Sequence, residues 1–211
     1  MLSVEGLRKS YHLRPVLDQV TFTVGDGETV GIFGKNGAGK TTLLRIISRI
    51  CSSDGGDVKL DGLSLFNGPA AARSGILYLG HHPNLYPTLT GEENLALVCR
   101  LYGRSGSRRK IVQVLTDVDL MRQRYDQIRY YSRGMLQRLG LAKAMAVPWR
   151  ILLMDEPATG LDEMGVDLLE SLVLRWQGDG KSMIIVSHDR TWLQRYATRM
   201  LELKGGTVSE A

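Results

Sequence analysis

The sequence predicts an α/β fold built around a phosphate-binding loop, on three observations. Residues 34–42 read Gly-Lys-Asn-Gly-Ala-Gly-Lys-Thr-Thr, which fits the P-loop pattern G-x-x-x-x-G-K-[ST]. That loop lies between an apolar strand-like run, Thr29 to Phe33, and a helix-like run, Thr42 to Ile50. Further along, Ile151-Leu152-Leu153-Met154 is a continuous apolar run closed by Asp155 and Glu156. Such a run is expected of a strand buried on both faces of a parallel sheet.

The elements follow in chain order. Leu2 to Leu7, Val16 to Val24, Glu28 to Phe33 and Asp57 to Leu60 read as strands, so the first part is β-rich. Gly75 to Leu79 is a further strand. Thr90 to Tyr102, Arg109 to Asp117 and Arg133 to Val147 carry helical patterns and group as a helical lobe. Ile151 to Asp155 and Ser182 to Ser187 return to the central sheet. Between them, Glu163 to Trp176 repeats Val166, Leu169, Leu172, Val173 and Trp176 at helical spacing, the pattern of a core-packed helix rather than a ligand site. Arg199 to Leu203 and Thr207 to Ser209 read as the last strands. No repeat, proline-rich linker or low-complexity tail interrupts this order.

The loop implies a nucleoside triphosphate. Glycines at 34, 37 and 39 let the backbone of Gly34, Lys35, Asn36, Gly37, Ala38 and Gly39 turn its N–H groups inward as an anion-binding nest. The helix that follows, opening near Thr42, adds roughly half an elementary positive charge at its N-terminus. Lys40 is placed to reach the β- and γ-phosphates, and the Thr41 hydroxyl to bind Mg²⁺. Asp155 stands at the carboxyl edge of the sheet, where open α/β folds bind ligands, and is the second candidate ligand for Mg²⁺, directly or through water. Glu156, one step further out beside the γ-phosphate, is placed to polarise an attacking water. A catalytic glutamate directly after the metal-binding acid favours hydrolysis over transfer to a second substrate.

Tyr131-Ser132-Arg133-Gly134-Met135-Leu136-Gln137-Arg138 precedes an Ala/Leu/Met-rich helix, and the Asp155–Glu156 strand follows closely. This resembles the signature motif of ATP-binding-cassette (ABC) ATPases, whose usual form is L-S-G-G-Q. Pro157-Ala158-Thr159-Gly160-Leu161-Asp162 resembles the family's D-loop, and Ile184-Ile185-Val186-Ser187-His188-Asp189 its switch strand ending in a histidine. Tyr11 stands where the family stacks an aromatic on adenine. The order and spacing match across essentially the whole chain.

The resemblance implies the ABC-ATPase form of the P-loop NTPase fold within one nucleotide-binding domain. Residues 1–82 and 148–211 would form a RecA-like core with an antiparallel β subdomain, and 83–147 the α-helical signature lobe. It also implies ATP and Mg²⁺ as cofactors, hydrolysis to ADP and phosphate coupled to transport, and His188 in contact with the γ-phosphate. In the family the signature serine faces the ATP of the other subunit. A chain with one P-loop and one signature must therefore pair head-to-tail, with a second copy or a related domain. Ser132 and Gly134 would complete the partner's ATP site, with Asp162 aligning the halves. The residues alone also allow plainer roles: an N-cap for Ser132, a polar strand end for His188, packing for Tyr11.

Two departures stand out. Arg133 and Met135 replace the usual Gly and Gln of the signature, and Arg133 is open to face either phosphate or solvent. Where the family's Q-loop carries glutamine, this chain reads Gly80-His81-His82-Pro83, and counting back from Leu89-Thr90 puts His81 in that position. A neutral His81 can assist the attacking water, whereas a protonated ring is repelled by Mg²⁺. With an unperturbed pKa of about 6.5, mild acidification would then lower activity; a plain loop role is the other reading. Gly-His-His-Pro, the signature variant and the short chain together resemble the ATPase subunit of cytochrome c maturation systems, the haem-exporter ATPases. Export ATPases for drugs or polysaccharides share the signature variant and are the alternative. A soluble ABC ATPase acting on ribosomes or DNA is more remote.

Composition fits these expectations. The 211 residues and 43% hydrophobic content suit one sizeable core. No apolar run approaches the roughly 18–20 residues that cross a bilayer. Met1 to Tyr11 alternates in polarity and carries Glu5, unlike a signal peptide. Cys51 and Cys99 form no C-x-x-C pair. The net charge of +5 is diffuse and its densest run, Arg104 to Lys110, reads as a turn, so no direct nucleic-acid partner is expected. The expected location is cytoplasmic, peripheral on the inner face of the cell membrane through integral permease subunits. Leu85 and Tyr86 lie where the family docks a cytoplasmic helix of its membrane subunit, unless they pack within the helical lobe.

Overall fold

The runs that are apolar at every position become the centre of a six-stranded sheet. The computed structural model describes residues 1–80 and 84–211. Strand β1 spans Leu2–Tyr11, β2 Arg14–Val24 and β3 Thr29–Phe33; α1, Lys40–Ile47, follows the P-loop. Then come β4 (Gly55–Leu60), β5 (Leu63–Ser64) and β6 (Ile76–Leu79), and the helices α2 (Gly91–Leu101), α3 (Arg108–Asp117) and α4 (Arg133–Ala146). The chain closes with β7 (Ile151–Asp155), α5 (Glu163–Gly178), β8 (Ser182–Val186), α6 (Arg190–Tyr196), β9 (Arg199–Lys204) and β10 (Thr207–Glu210).

The large sheet has the order β10-β9-β3-β8-β7-β6. Its centre is parallel: β3 pairs with β8 and β9, and β7 with β8. Strands β7 and β8 are buried along their full length, as a two-sided apolar strand must be. Their register aligns Ile32, Val186 and Asp155 in one row at the carboxyl edge. The residues after β3, β7 and β8 therefore emerge side by side, and these are the P-loop, Glu156 and Ser187–His188.

A second sheet, antiparallel in the order β2-β1-β4-β5, supplies the rest of the β-rich part. Leu2, Val4, Phe22 and Val58 from it join Ile32, Leu43, Ile47 and Ile151 in one apolar core that wraps α1. Strand β1 runs four residues past the expected end at Leu7. Register shifts after Val4, Leu7 and Lys9 break the strict alternation from which the strand was read, and Gly6 sits at φ 58°.

Cα proximity divides the chain into two units, described separately. The first comprises Met1–Tyr78, Arg150–Glu156 and Val173–Ala211, with both sheets; the second comprises Leu79–Trp149 and Pro157–Leu172. In the second unit α2, α3 and α4 pack on one another. Thr90 and Glu93 form a capping box at the start of α2. Buried Asn94 fixes the preceding loop: its amide donates to the Tyr86, Leu89 and Thr90 carbonyls, and its Oδ1 accepts from the Tyr86 N–H at 2.8 Å.

Three expectations need correction. Helix α1 stops at Ile47, not Ile50, because Arg49 adopts φ 63° and the Ile50 and Cys51 N–H groups both bond to the Arg45 carbonyl, closing the last turn. Helix α6 was not foreseen; Asp189 caps it by accepting from the Trp192 N–H, and Trp192, Leu193 and Tyr196 are its buried face. The basic run from Arg104 is only half a turn, since α3 already begins at Arg108.

Candidate functional site

The P-loop is shaped by what cannot stand at two of its glycines. A Cβ on Gly34 would collide with the Leu203 carbonyl oxygen, and one on Gly39 would meet Val16 Cγ1 at 2.9 Å while its φ is 103°. Both positions require glycine, Gly34 for close approach and Gly39 for its left-handed backbone as well. Lys35, Asn36 and Gly37 face solvent, and Thr42 lies in the first turn of α1. Lys40 is only 7% exposed, and its ammonium donates to the Gly34 carbonyl at 2.8 Å and the Lys35 carbonyl at 3.3 Å. A buried cation thus sits at the loop it follows, where an oxyanion would find it.

Asp155, at the end of β7, is 1% exposed, and each of its carboxylate oxygens has a donor. The Thr41 hydroxyl donates to Oδ1 at 3.1 Å, and the Tyr78 hydroxyl to Oδ2 at 3.1 Å. The two candidate metal ligands, Thr41 and Asp155, therefore meet across 114 residues of chain. The donor set is oxygen only, which suits a hard divalent cation such as Mg²⁺. Tyr78 was not foreseen; burial first, then the Asp155 charge, pushes its phenol up to about 12. The signal available was a tyrosine inside the apolar strand 76–79, but nothing local says which face it takes.

Glu156 occupies the left-handed region at φ 51°, held by its N–H bond to the Val186 carbonyl at 2.8 Å. Its Oε2 lies 2.8 Å from His188 Nδ1 and accepts from the Ser187 hydroxyl at 3.3 Å. The candidate base and the candidate switch histidine are in direct contact, at the ends of neighbouring strands. The His188 ring is largely exposed while Glu156 is mostly covered. Tyr11, 45% exposed at the end of β1, places its hydroxyl 3.4 Å from Cys51 Sγ, with the Lys9 ammonium 5.4 Å above its ring. The Cys51 contact and burial raise its phenol.

In the second unit Ser132 caps α4, accepting from the Met135 N–H at 3.2 Å. A Cβ built on Gly160 would meet Arg133 Cδ at 2.9 Å, and one on Gly134 would meet the Gly160 carbonyl oxygen at 2.9 Å. Arg133 thus lays its side chain on the backbone at Gly160, a placement the sequence reading had not considered. Asp162 accepts from Arg138 at 2.6 Å and from the Gly165 N–H at 3.0 Å; these two donors hold its carboxyl below the usual carboxylate range. Gln137 donates to the Thr159 carbonyl at 3.4 Å. His81 and His82, proposed for the glutamine position, lie outside the described residues.

The comparisons with known proteins agree with this geometry. The profile of the ABC transporter family matches residues 17–159. An uncharacterised ABC transporter ATP-binding protein of Bacillus subtilis, YhcH, is 32% identical over 99% of this chain and 68% of its own length. The doxorubicin resistance ATP-binding protein DrrA of Mycobacterium tuberculosis is 32% identical over 97% of this chain and 63% of its own. The chain thus spans about two thirds of the length of these relatives. Among solved structures, the dimeric ATP-binding cassette MJ0796, in a post-hydrolysis state with ADP and Pi, superposes with a TM-score of 0.90. It is 26% identical, and the match covers 100% of this chain and 98% of that one. The chain belongs to the ABC transporter family. It is an ATP-binding, ATP-hydrolysing cassette of that family, of the kind that energises transport. Among the described residues no helix is long and apolar enough to cross a membrane.

Proposed function

We propose that the whole chain acts as one nucleotide-binding domain of a membrane export complex. It pairs head-to-tail with a second copy at the cytoplasmic face of the cell membrane and is attached there through integral permease subunits. The observation that carries the chemistry is the Glu156–His188 contact beside Asp155 and the P-loop.

In this reading the N–H groups of residues 34–42 and the Lys40 ammonium bind the phosphates, and Tyr11 stacks on adenine. Thr41 and Asp155 hold Mg²⁺, which when bound neutralises charge on the phosphates. Glu156 accepts a proton from the attacking water, and His188 keeps that carboxylate aimed at it while presenting its exposed edge to the γ-phosphate. Ser132 and Gly134, at the N-terminus of α4, offer donors to the ATP held by the other copy, with Asp162 aligning the pair. His81 assists at the position of the family's glutamine.

The finer proposal is that the complex handles haem in cytochrome c maturation; its support is Gly80-His81-His82-Pro83 combined with the Tyr131–Arg138 signature variant. A drug exporter is the second reading, favoured by the likeness to a relative named for doxorubicin resistance. The test is affinity capture of this protein from detergent-solubilised native membranes, followed by mass spectrometry. Haem-handling membrane proteins in the capture support the first reading, and a permease without them supports the second. Recovery only with ribosomal or DNA-associated proteins would remove the membrane assignment.

A further inference from the structure

The Tyr78 hydroxyl has two neighbours of opposite demand. Asp155 Oδ2 accepts from it at 3.1 Å, while the Arg45 guanidinium, on α1, is a positive charge nearby. A carboxylate can only accept, so the single proton of the phenol is committed to Asp155. The residue is 8% exposed, so little water competes for that proton. Tyr78 thus ties β6 to the end of β7 at Asp155. Thr41, on the same helix four residues before Arg45, takes the other carboxylate oxygen. A carboxylate with one free torsion at its end is thereby fixed from both sides.

We propose that Tyr78 is a positioning residue for Asp155: by engaging Oδ2 it fixes the plane of the carboxylate, so that Oδ1 and the Thr41 hydroxyl are presented together to a divalent cation on the nucleotide. The inference rests on the reading of Thr41 and Asp155 as the cation's ligands. It assigns to Tyr78 a role in cation affinity and not in phosphate binding, since the hydroxyl is directed at Asp155 rather than at the loop of residues 34–39. Groups that orient metal ligands in this way typically change cation affinity by about ten- to a hundredfold when removed.

The test is Mn²⁺ binding, followed by electron paramagnetic resonance, to the protein saturated with an imido analogue of ATP that is not hydrolysed. Tyr78→Phe deletes the hydroxyl and keeps the buried ring; Tyr78→Leu is a second hydroxyl-free variant should the first not fold. Mn²⁺ affinity is expected to fall about tenfold, while affinity for the analogue in EDTA stays within about twofold of the parent. Unchanged Mn²⁺ affinity overturns the proposal, and so does a parallel loss of metal-free nucleotide affinity, which marks a merely structural role. Asp155→Asn separates the two layers. If it binds Mn²⁺ like the parent, the ligand reading has failed and Tyr78 falls with it. If it loses Mn²⁺ while Tyr78→Phe does not, only the Tyr78 inference is lost.

Discussion

Lys143, in the last turn of α4, is withdrawn from solvent, and burial pushes its ammonium down to about 8. The unfolded chain keeps a lysine protonated to about 10.4. Between those two values the unfolded state binds a proton that the folded state has released, so this residue makes stability rise with pH across that window. Below about 8 the folded chain carries a buried charge that costs on the order of 3 kcal/mol or less, taking 1.36 kcal/mol per pKa unit. Lys143→Met is therefore expected to raise the urea midpoint at pH 7 and to lose that advantage by pH 10. A difference between the two proteins that stays constant from pH 7 to 10 would refute the assignment. At this scale the sequence is legible where chemistry is local. Asp155 and Glu156 are adjacent and end an apolar run, so both were readable. The Tyr78 contact was not, because it is made across the pairing of β6 and β7, between positions 77 residues apart.

Among the elements, α2 shows how one side chain, Asn94, ties down the loop before its helix. The carbonyls it reaches also accept from backbone, Tyr86 from the Leu89 N–H, Leu89 from the Ile128 N–H and Thr90 from the Asn94 N–H, whereas the Tyr86 N–H relies on Asn94 Oδ1. Asn94→Leu keeps the volume but leaves the Tyr86 N–H without its acceptor, and should destabilise the protein by about 1–3 kcal/mol. Amide exchange should rise first at Tyr86, whose N–H loses its acceptor; protection there equal to the parent's would contradict this. Strands β7 and β8 and helix α5 were legible because period and burial agree along their length. Helix α6 was not, although Asp189 followed by buried Trp192, Leu193 and Tyr196 is an N-cap with an apolar face. Seven residues give too few turns for periodicity to register. The overrun at α1 has another cause: Ser48 to Ile50 has no Gly or Pro, and the stop is made by Arg49 at positive φ.

For the whole molecule, the prediction concerns assembly. Glu156→Gln should bind ATP like the parent and hydrolyse it at least about tenfold more slowly, a barrier higher by roughly 1.4 kcal/mol. With ATP trapped, its mass by light scattering at high concentration should double. Monomers throughout would count against the head-to-tail pair, and an unchanged rate would reassign the base. The order of the sheet was beyond sequence reading in detail, since β9 and β10 return to the far side of β3 by pairing that no local pattern encodes. What the sequence did convey is that the loops after β3, β7 and β8 belong together, because each follows a strand too apolar to lie at an edge.

Arg133 on Gly160 joins the signature to the D-loop by shape, and Arg138 on Asp162 joins them by charge. The arginine at 133 fills the space above position 160. Gly160 also holds φ 87°, so its own backbone resists a side chain as firmly as the arginine above it does. The two loops are thus fastened to each other twice over, and a shift in the backbone of either is passed to its neighbour.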